Sequence, residues 1–229
     1  MAQAMRIART RSTLFVHACL LAGCAPEAEA PIRYTCLDRA VQERYAKPRP
    51  DYPLVWQTAH LDIYAKDDIT VCAGTAAELE RHVVFVANTL GLEPREHIPL
   101  YMSAGWPKEH CGSLAAGCSH YDGVNFSSTT AAYHELAHTV ACELRVFQTP
   151  SLSEGLANLF EPRPSWLAGD SRDLAVALSA DYGGEEWHPN LAMFFLRWVL
   201  ETYGGDVLAE LYLATPNQYS RRGPSTAPG

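Results

Sequence analysis

His134-Glu135-Leu136-Ala137-His138 carries the densest chemistry in the chain. Two imidazoles four positions apart on a helix stand one turn apart on the same face, so both can aim a lone pair at one cation. Glu135 is rotated around the helix from both histidines. It cannot join them as an equal ligand, but it can take a proton from a water held on that cation. Zinc accepts such ligands and makes a bound water acidic enough to supply hydroxide near neutral pH. The chemistry predicted is hydrolysis: hydroxide attacks a carbonyl carbon, and the glutamate passes the proton toward the leaving amine. The competing reading is a surface helix with two solvated histidines. Against it, Ala132, Leu136, Val140 and Leu144 give this helix an apolar face, and the histidines lie well inside it.

Two histidines and a water leave tetrahedral zinc one protein ligand short. Ser153-Glu154-Gly155-Leu156-Ala157 falls in the next helical segment, which a turn near Thr149-Pro150 would fold back beside the histidines. Glu154 is the first candidate, although Ser151 followed three positions later by Glu154 also fits a capping box. Glu161, seven positions on and on the same face, is the second candidate. Cys142 lies one turn past His138, where a core thiol or disulfide partner is the better reading. No Gly-x-x-His continuation follows His138, which disfavours the metzincin arrangement.

Residues 133–140 and 153–157 together resemble the gluzincin group of zinc metallopeptidases, in which a two-histidine helix is followed by a helix carrying a glutamate ligand. The resemblance implies His134, His138 and Glu154 as ligands of one zinc ion, Glu135 as general base, and an α+β, zincin-like fold. It also implies a peptide or protein substrate held by β-addition on an edge strand before the site helix, for which residues 124–127 are the candidates. A Tyr or His beyond the third ligand would steady the oxyanion, and the matching region offers His188, fixed before Pro189, and Tyr182, beside Gly183-Gly184. Tyr203 lies too far along the following helix. The likeness covers residues 120–214, within which 194–204 resembles the packing helix of several gluzincins. The interval 139–153, 15 residues, is short for the group. Two other readings therefore stay open: a zinc-binding envelope module without turnover, and a zinc hydrolase of a non-peptide amide or ester.

The elements that must position these residues are a small mixed or antiparallel sheet packed on helices, then a helical half. A small helix is expected over 32–46. Residues 55–64 read as a strand, Asp67-Asp68 as a turn and 69–72 as a returning strand, an antiparallel hairpin. Leu79, Val83, Val86 and Leu90 predict a helix over 75–90, capped by Thr75 and ended by Gly91. A strand follows over 98–102, then a Gly-rich loop over 103–122, then the edge strand near Val124-Asn125-Phe126. Asn125-Phe126-Ser127 matches the N-glycosylation pattern and is assigned no function. Helices are expected over 129–146, 151–160, 170–181, 189–203 and 206–213.

Met1 to Arg11 carries Arg6, Arg9 and Arg11 and no acid, and an apolar run over 14–22 follows, too short for a permanent membrane span. Leu21-Ala22-Gly23-Cys24 resembles the lipobox of bacterial lipoproteins. The expected organisation is a signal peptide over 1–23, a lipid anchor on Cys24 with a tether over 24–31, one catalytic domain over 32–215 (strand-bearing 32–127, helical 128–215), and a disordered tail over 216–229. The location implied is the bacterial cell envelope. Losing the three arginines of residues 1–23 takes the formal charge from −8 to −11, which disfavours a nucleic-acid partner. In an oxidising compartment, Cys36, Cys72, Cys111, Cys118 and Cys142 suggest two disulfides and one thiol. Cys111–Cys118 is the natural local pair, and Cys36–Cys72 the weaker expectation, leaving Cys142 buried and free.

Overall fold

Short runs of apolar residues make the inner strands of the sheet, which send Leu61, Ile63, Ile98, Leu100 and Met102 to one core and Tyr101 and Phe126 to another. The computed structural model describes residues 51–105, 111, 116–119, 123–144, 148–162, 174, 178 and 188–214. Its described strands are β1 (Leu54–Gln57), β2 (Leu61–Ala65), β3 (Ile98–Met102), β4 (Gly117–Ser119) and β5 (Asn125–Ser127). They form one mixed sheet in the order β1-β2-β3-β5-β4, in which β2, β3 and β5 run parallel and β1 and β4 are antiparallel to their neighbours. The described residues belong to one unit, Ile32–Gly229.

The expected hairpin is displaced. The chain reverses inside residues 55–64, because Thr58 turns it back: its N–H donates to the Leu61 carbonyl at 2.9 Å, and its Oγ1 accepts from the Leu61 N–H at 3.0 Å. The same hydroxyl donates to Glu80 at 2.6 Å. These local bonds outweigh strand propensity at that point. Residues 69–72 then lead into a helix rather than forming a strand.

That helix, α1 (Ala73–Thr89), crosses between the parallel strands β2 and β3. Cys72 is its N-cap rather than Thr75, whose hydroxyl contacts the Cys72 thiol at 3.3 Å. Gly91, at φ +66°, ends it, with Leu92 N–H donating to the Ala87 carbonyl and Gly91 N–H to the Asn88 carbonyl. Leu79, Val83 and Val86 meet Leu61, Ile63, Ile98, Leu100 and Met102 in the main core. On the opposite face of the sheet, Tyr64 stacks on Tyr101 at 4.8 Å and Tyr101 on Phe126 at 5.3 Å, and the register continues to Cys118.

The helical half comprises α2 (Tyr133–Cys142), α3 (Pro150–Phe160), α4 (Pro189–Tyr203) and α5 (Gly205–Ala214). Helix α2 starts at Tyr133, not at residue 129, because residues 127–131 close a small turn: Ser127 Oγ donates to the Thr129 carbonyl at 2.8 Å, and the Ala131 N–H donates to Thr129 Oγ1. Thr149 caps α3, with Pro150 in its first turn. Of the helix expected over 170–181, Leu174 and Leu178 are described, and both are helical. Residues 1–50, 182 and 215–229, with the signal, anchor, tether, first helix and tail expected there, lie outside the described residues.

The cysteine expectations divide. Cys111 and Cys118 are joined, with Cα atoms 5.4 Å apart. Cys72 is an exposed free thiol, and Cys142 is disulfide-bonded to a partner outside the described residues. The pairing Cys36–Cys72 with Cys142 free is therefore wrong. As the N-cap of α1, Cys72 points its sulfur at Thr75 and away from any partner, whereas Cys142 is buried at the end of α2.

Candidate metal centre

Helix α2 sets the two histidines at adjacent turns of one face. Their rings meet edge-on at 4.7 Å, with the two Nε2 atoms 3.1 Å apart. Helix α3 returns beside them and presents Glu154, whose Oε2 is 3.1 Å from His134 Nε2 and whose Oε1 is 3.4 Å from His138 Nε2. One donor atom from each of His134, His138 and Glu154 fits within a span of 4.8 Å, and this is the group able to hold a metal ion among the described residues. The capping-box reading of Glu154 fails. Thr149 is the cap, and Ser151 is fully buried, its hydroxyl making no hydrogen bond among the described residues.

The outer nitrogens of both imidazoles are occupied. His134 Nδ1 lies 2.9 Å from Glu161 Oε1, and His138 Nδ1 lies 3.3 Å from Ser153 Oγ. A carboxylate at Nδ1 keeps the His134 proton there, which leaves its Nε2 a bare lone pair. That lone pair faces a second imidazole nitrogen and a carboxylate oxygen. Such a grouping is repulsive until a proton or cation sits among the three donors. Burial works against an imidazolium at His134, but Glu154 and Glu161 outweigh it and hold its pKa far above the ordinary value. Burial likewise opposes ionisation of Glu154, yet the two histidines drive its carboxyl well below the usual range. The donor set fits zinc: two neutral imidazoles, one carboxylate, and acceptors that fix the tautomer.

Glu135 points elsewhere. Its carboxylate lies against Gly117 in β4, where an added Cβ would come 2.8 Å from Glu135 Oε1 and 2.7 Å from the Phe126 carbonyl. Burial raises its pKa, and His134 and His138 pull it back down. A carboxylate poised in this way can both accept and return a proton.

The strand expected at the edge is interior. Asn125–Ser127 is fully buried between β3 and β4, and the edge is Gly117–Ser119, which the Gly-rich composition of residues 103–122 disguised as loop. The Ser128 N–H donates to the Ala116 carbonyl, so the next pair, Gly117 with Ser127, turns its backbone groups outward. Ser127 accordingly bonds Ser103 of the β3 segment. Gly117 turns its own N–H and carbonyl away from β5, beside Glu135. A chain of bonds ties this strand to α2: Ser119 to Thr139 at 2.9 Å and Thr139 to Asn125 at 2.8 Å.

His188 is the half-buried N-cap of α4, whose first turn packs on α3 at Gly155. A Cβ there would meet Ala192 Cβ at 2.6 Å. That close approach gives a physical reason for glycine directly after Glu154. Tyr182 lies outside the described residues. His82 is buried and bonds the Tyr133 carbonyl at 2.9 Å, while the Tyr133 hydroxyl donates to Glu78. Sequence reasoning missed the part played by Ser153 and treated Glu161 only as a rival ligand, although its heptad distance from Glu154 was the available signal.

No protein-family model and no curated protein matches the chain. Among solved structures it is similar to the crystal structure of an M1 zinc metallopeptidase from Deinococcus radiodurans, at 15% identity and a TM-score of 0.40, over 78% of this chain and 45% of that one. A mutant of the same enzyme gives 15% identity and a TM-score of 0.41, over 78% and 46%. The chain spans less than half the length of these structures. A likeness this loose carries no argument, and the reading of the site rests on its own geometry.

Proposed function

We propose that the protein is a zinc-dependent hydrolase of peptide bonds, with His134, His138 and Glu154 as metal ligands and Glu135 as general base. The observation that carries this reading is the convergence of the three donor atoms, with both outer imidazole nitrogens already committed to Glu161 and Ser153. Zinc bound there would supply an acidified water and polarise the scissile carbonyl. Glu135 takes the proton of the attacking water and returns it to the leaving nitrogen, a double duty its raised pKa favours. Gly117 offers outward backbone groups beside Glu135, so an extended peptide adding to β4 would bring its carbonyl close to the base. His188 or Tyr182 supplies the oxyanion donor. Cys24 anchors the protein by lipid in the bacterial envelope, its substrate a peptide or protein. Among the described residues, no helix is long and apolar enough to cross a membrane.

The test is zinc content and turnover of the purified chain on an unstructured protein such as casein. Wild type should hold one zinc and cleave. Glu135→Ala should hold zinc and not cleave. Wild-type protein that binds zinc without cleaving casein or simple amides and esters would leave a binding module in place of an enzyme. Replacing His188 with Ala should lower kcat/KM by roughly tenfold to a thousandfold at unchanged zinc content. Wild-type kcat/KM in that variant passes the role to Tyr182.

A further inference from the structure

Besides its histidine face, helix α2 turns a face toward the sheet. Thr139, one turn past Glu135, is buried there, and its hydroxyl donates to Asn125 Oδ1 in β5 at 2.8 Å. The direction of that bond is fixed from the far side. Asn125 Nδ2 donates to the Pro99 and Gly123 carbonyls at 3.3 and 3.2 Å, which leaves its oxygen to accept on the helix side. A hydroxyl has one hydrogen to give, so toward Ser119 Oγ, 2.9 Å away in β4, Thr139 accepts and the serine donates. The bonds therefore run with one polarity from Ser119 through Thr139 and Asn125 to β3. They also set a spacing. Residues 135 and 139 stand about 6 Å apart along the helix, and residues 117 and 119 about 7 Å apart on one face of the strand. Bonding Ser119 to Thr139 thus brings Gly117 opposite Glu135, where an added Cβ would lie 2.8 Å from Glu135 Oε1.

We propose that Thr139 is a positioning residue for catalysis, holding β4 in step with α2 through Ser119 so that a peptide seated on that strand meets Glu135. The inference rests on the peptide-hydrolase reading above and adds to it a residue outside the metal-binding set. An apolar contact would also hold the helix against the sheet, but it has no direction and lets the strand slide. A buried hydroxyl and a buried amide cost free energy unless they are bonded, and here both are bonded. Valine has nearly the shape of threonine and lacks only the directed link.

The test uses the full zinc-loaded chain with casein as substrate, and the metal-free chain for amide exchange. Thr139→Val and Ser119→Ala should each lower kcat roughly tenfold with KM within about threefold of wild type, because the peptide still pairs with β4 but presents its carbonyl out of line with the base. Zinc affinity should stay within about threefold of wild type, since neither residue contacts an imidazole. Thr139→Ser, which keeps the hydroxyl, should restore kcat. The double variant should be no slower than Thr139→Val within about threefold, because both changes break one chain. In the metal-free protein, amides of residues 116–119 should exchange roughly tenfold faster in both single variants, with α2 exchanging as in wild type. Wild-type kcat in both variants overturns the proposal, as does a Thr139→Ser protein as slow as Thr139→Val. So does a loss confined to KM, or faster exchange throughout α2 and the sheet, which would make the threonine a core residue only. Failure of the peptide-hydrolase reading shows separately, as wild type that holds zinc and leaves casein intact, and this proposal falls with it.

Discussion

Glu161 touches His134 at the nitrogen turned away from Glu154, and so acts on the metal centre without entering it. This orders the expected losses. Glu154→Ala removes a proposed ligand and should weaken zinc at least tenfold. Glu161→Ala removes an orienting acceptor and should cost less, and Glu161→Gln, which keeps an oxygen for the Nδ1 proton, least of all. Chelator competition on the three variants checks the order, and equal losses for Glu154→Ala and Glu161→Ala would reopen the choice of ligand. The raised pKa of His134 makes a second prediction. Below that raised value the metal-free imidazole carries an extra proton, which zinc must displace from Nε2. Apparent affinity should therefore rise with pH through the neutral range. Calorimetry at pH 7 in buffers of different ionisation heat should show about one proton released per zinc. No release would mean the site is already neutral without metal.

Among the described elements, β4, at three residues as short as β5, is the most exacting. Its Gly117 lies where a methyl group would press on both Glu135 and the Phe126 carbonyl. Gly117→Ala should lower kcat/KM roughly a hundredfold with zinc retained, because a displacement of about an ångström at the base is enough. Loss of zinc instead would mean that the strand shapes the metal centre directly. Gly155→Ala presses α3 away from α4 and should cost about 1–3 kcal/mol in a denaturant titration. The metal helix and the helix after it were legible in sequence because both follow from local rules, an i, i+4 pair on an apolar face and a turn at Thr149-Pro150. Strand placement was not. Thr58 makes its turn by bonds to Leu61 and to distant Glu80, and β4 is recognisable only through its pairing with β5. The Ser153–His138 contact joins two helices across fifteen positions and left no periodic trace.

For the molecule as a whole, the tie between α1 and α2 runs through a buried histidine, and this sets a pH limit. Burial holds the His82 pKa below its ordinary 6.5, although the Tyr133 carbonyl and Glu161 pull it partly back. As pH falls through about 6.5, the unfolded chain takes up a proton that the folded chain refuses. Stability should decline from there and level off only below the depressed folded value. Denaturant titrations between pH 8 and 5 should show this slope in wild type and a shallower one in His82→Gln. A slope the same in both would place the acid sensitivity elsewhere. A last consequence concerns how the protein can be made. Asn125 in the Asn125-Phe126-Ser127 triplet is fully buried, its amide nitrogen donating to the Pro99 and Gly123 carbonyls and its oxygen accepting from Thr139. In a eukaryotic secretory host, a sugar attached to the nascent chain at that amide would take a hydrogen the fold needs and bring a bulk the sheet cannot admit. Glycosylated and folded chains would be separate populations from such a host, and an Asn125→Gln remedy would damage what it was meant to rescue. Replacing Ser127 with Ala, which removes the triplet while keeping the asparagine, is the safer change, at the cost of the two bonds its hydroxyl makes with the Thr129 backbone before α2.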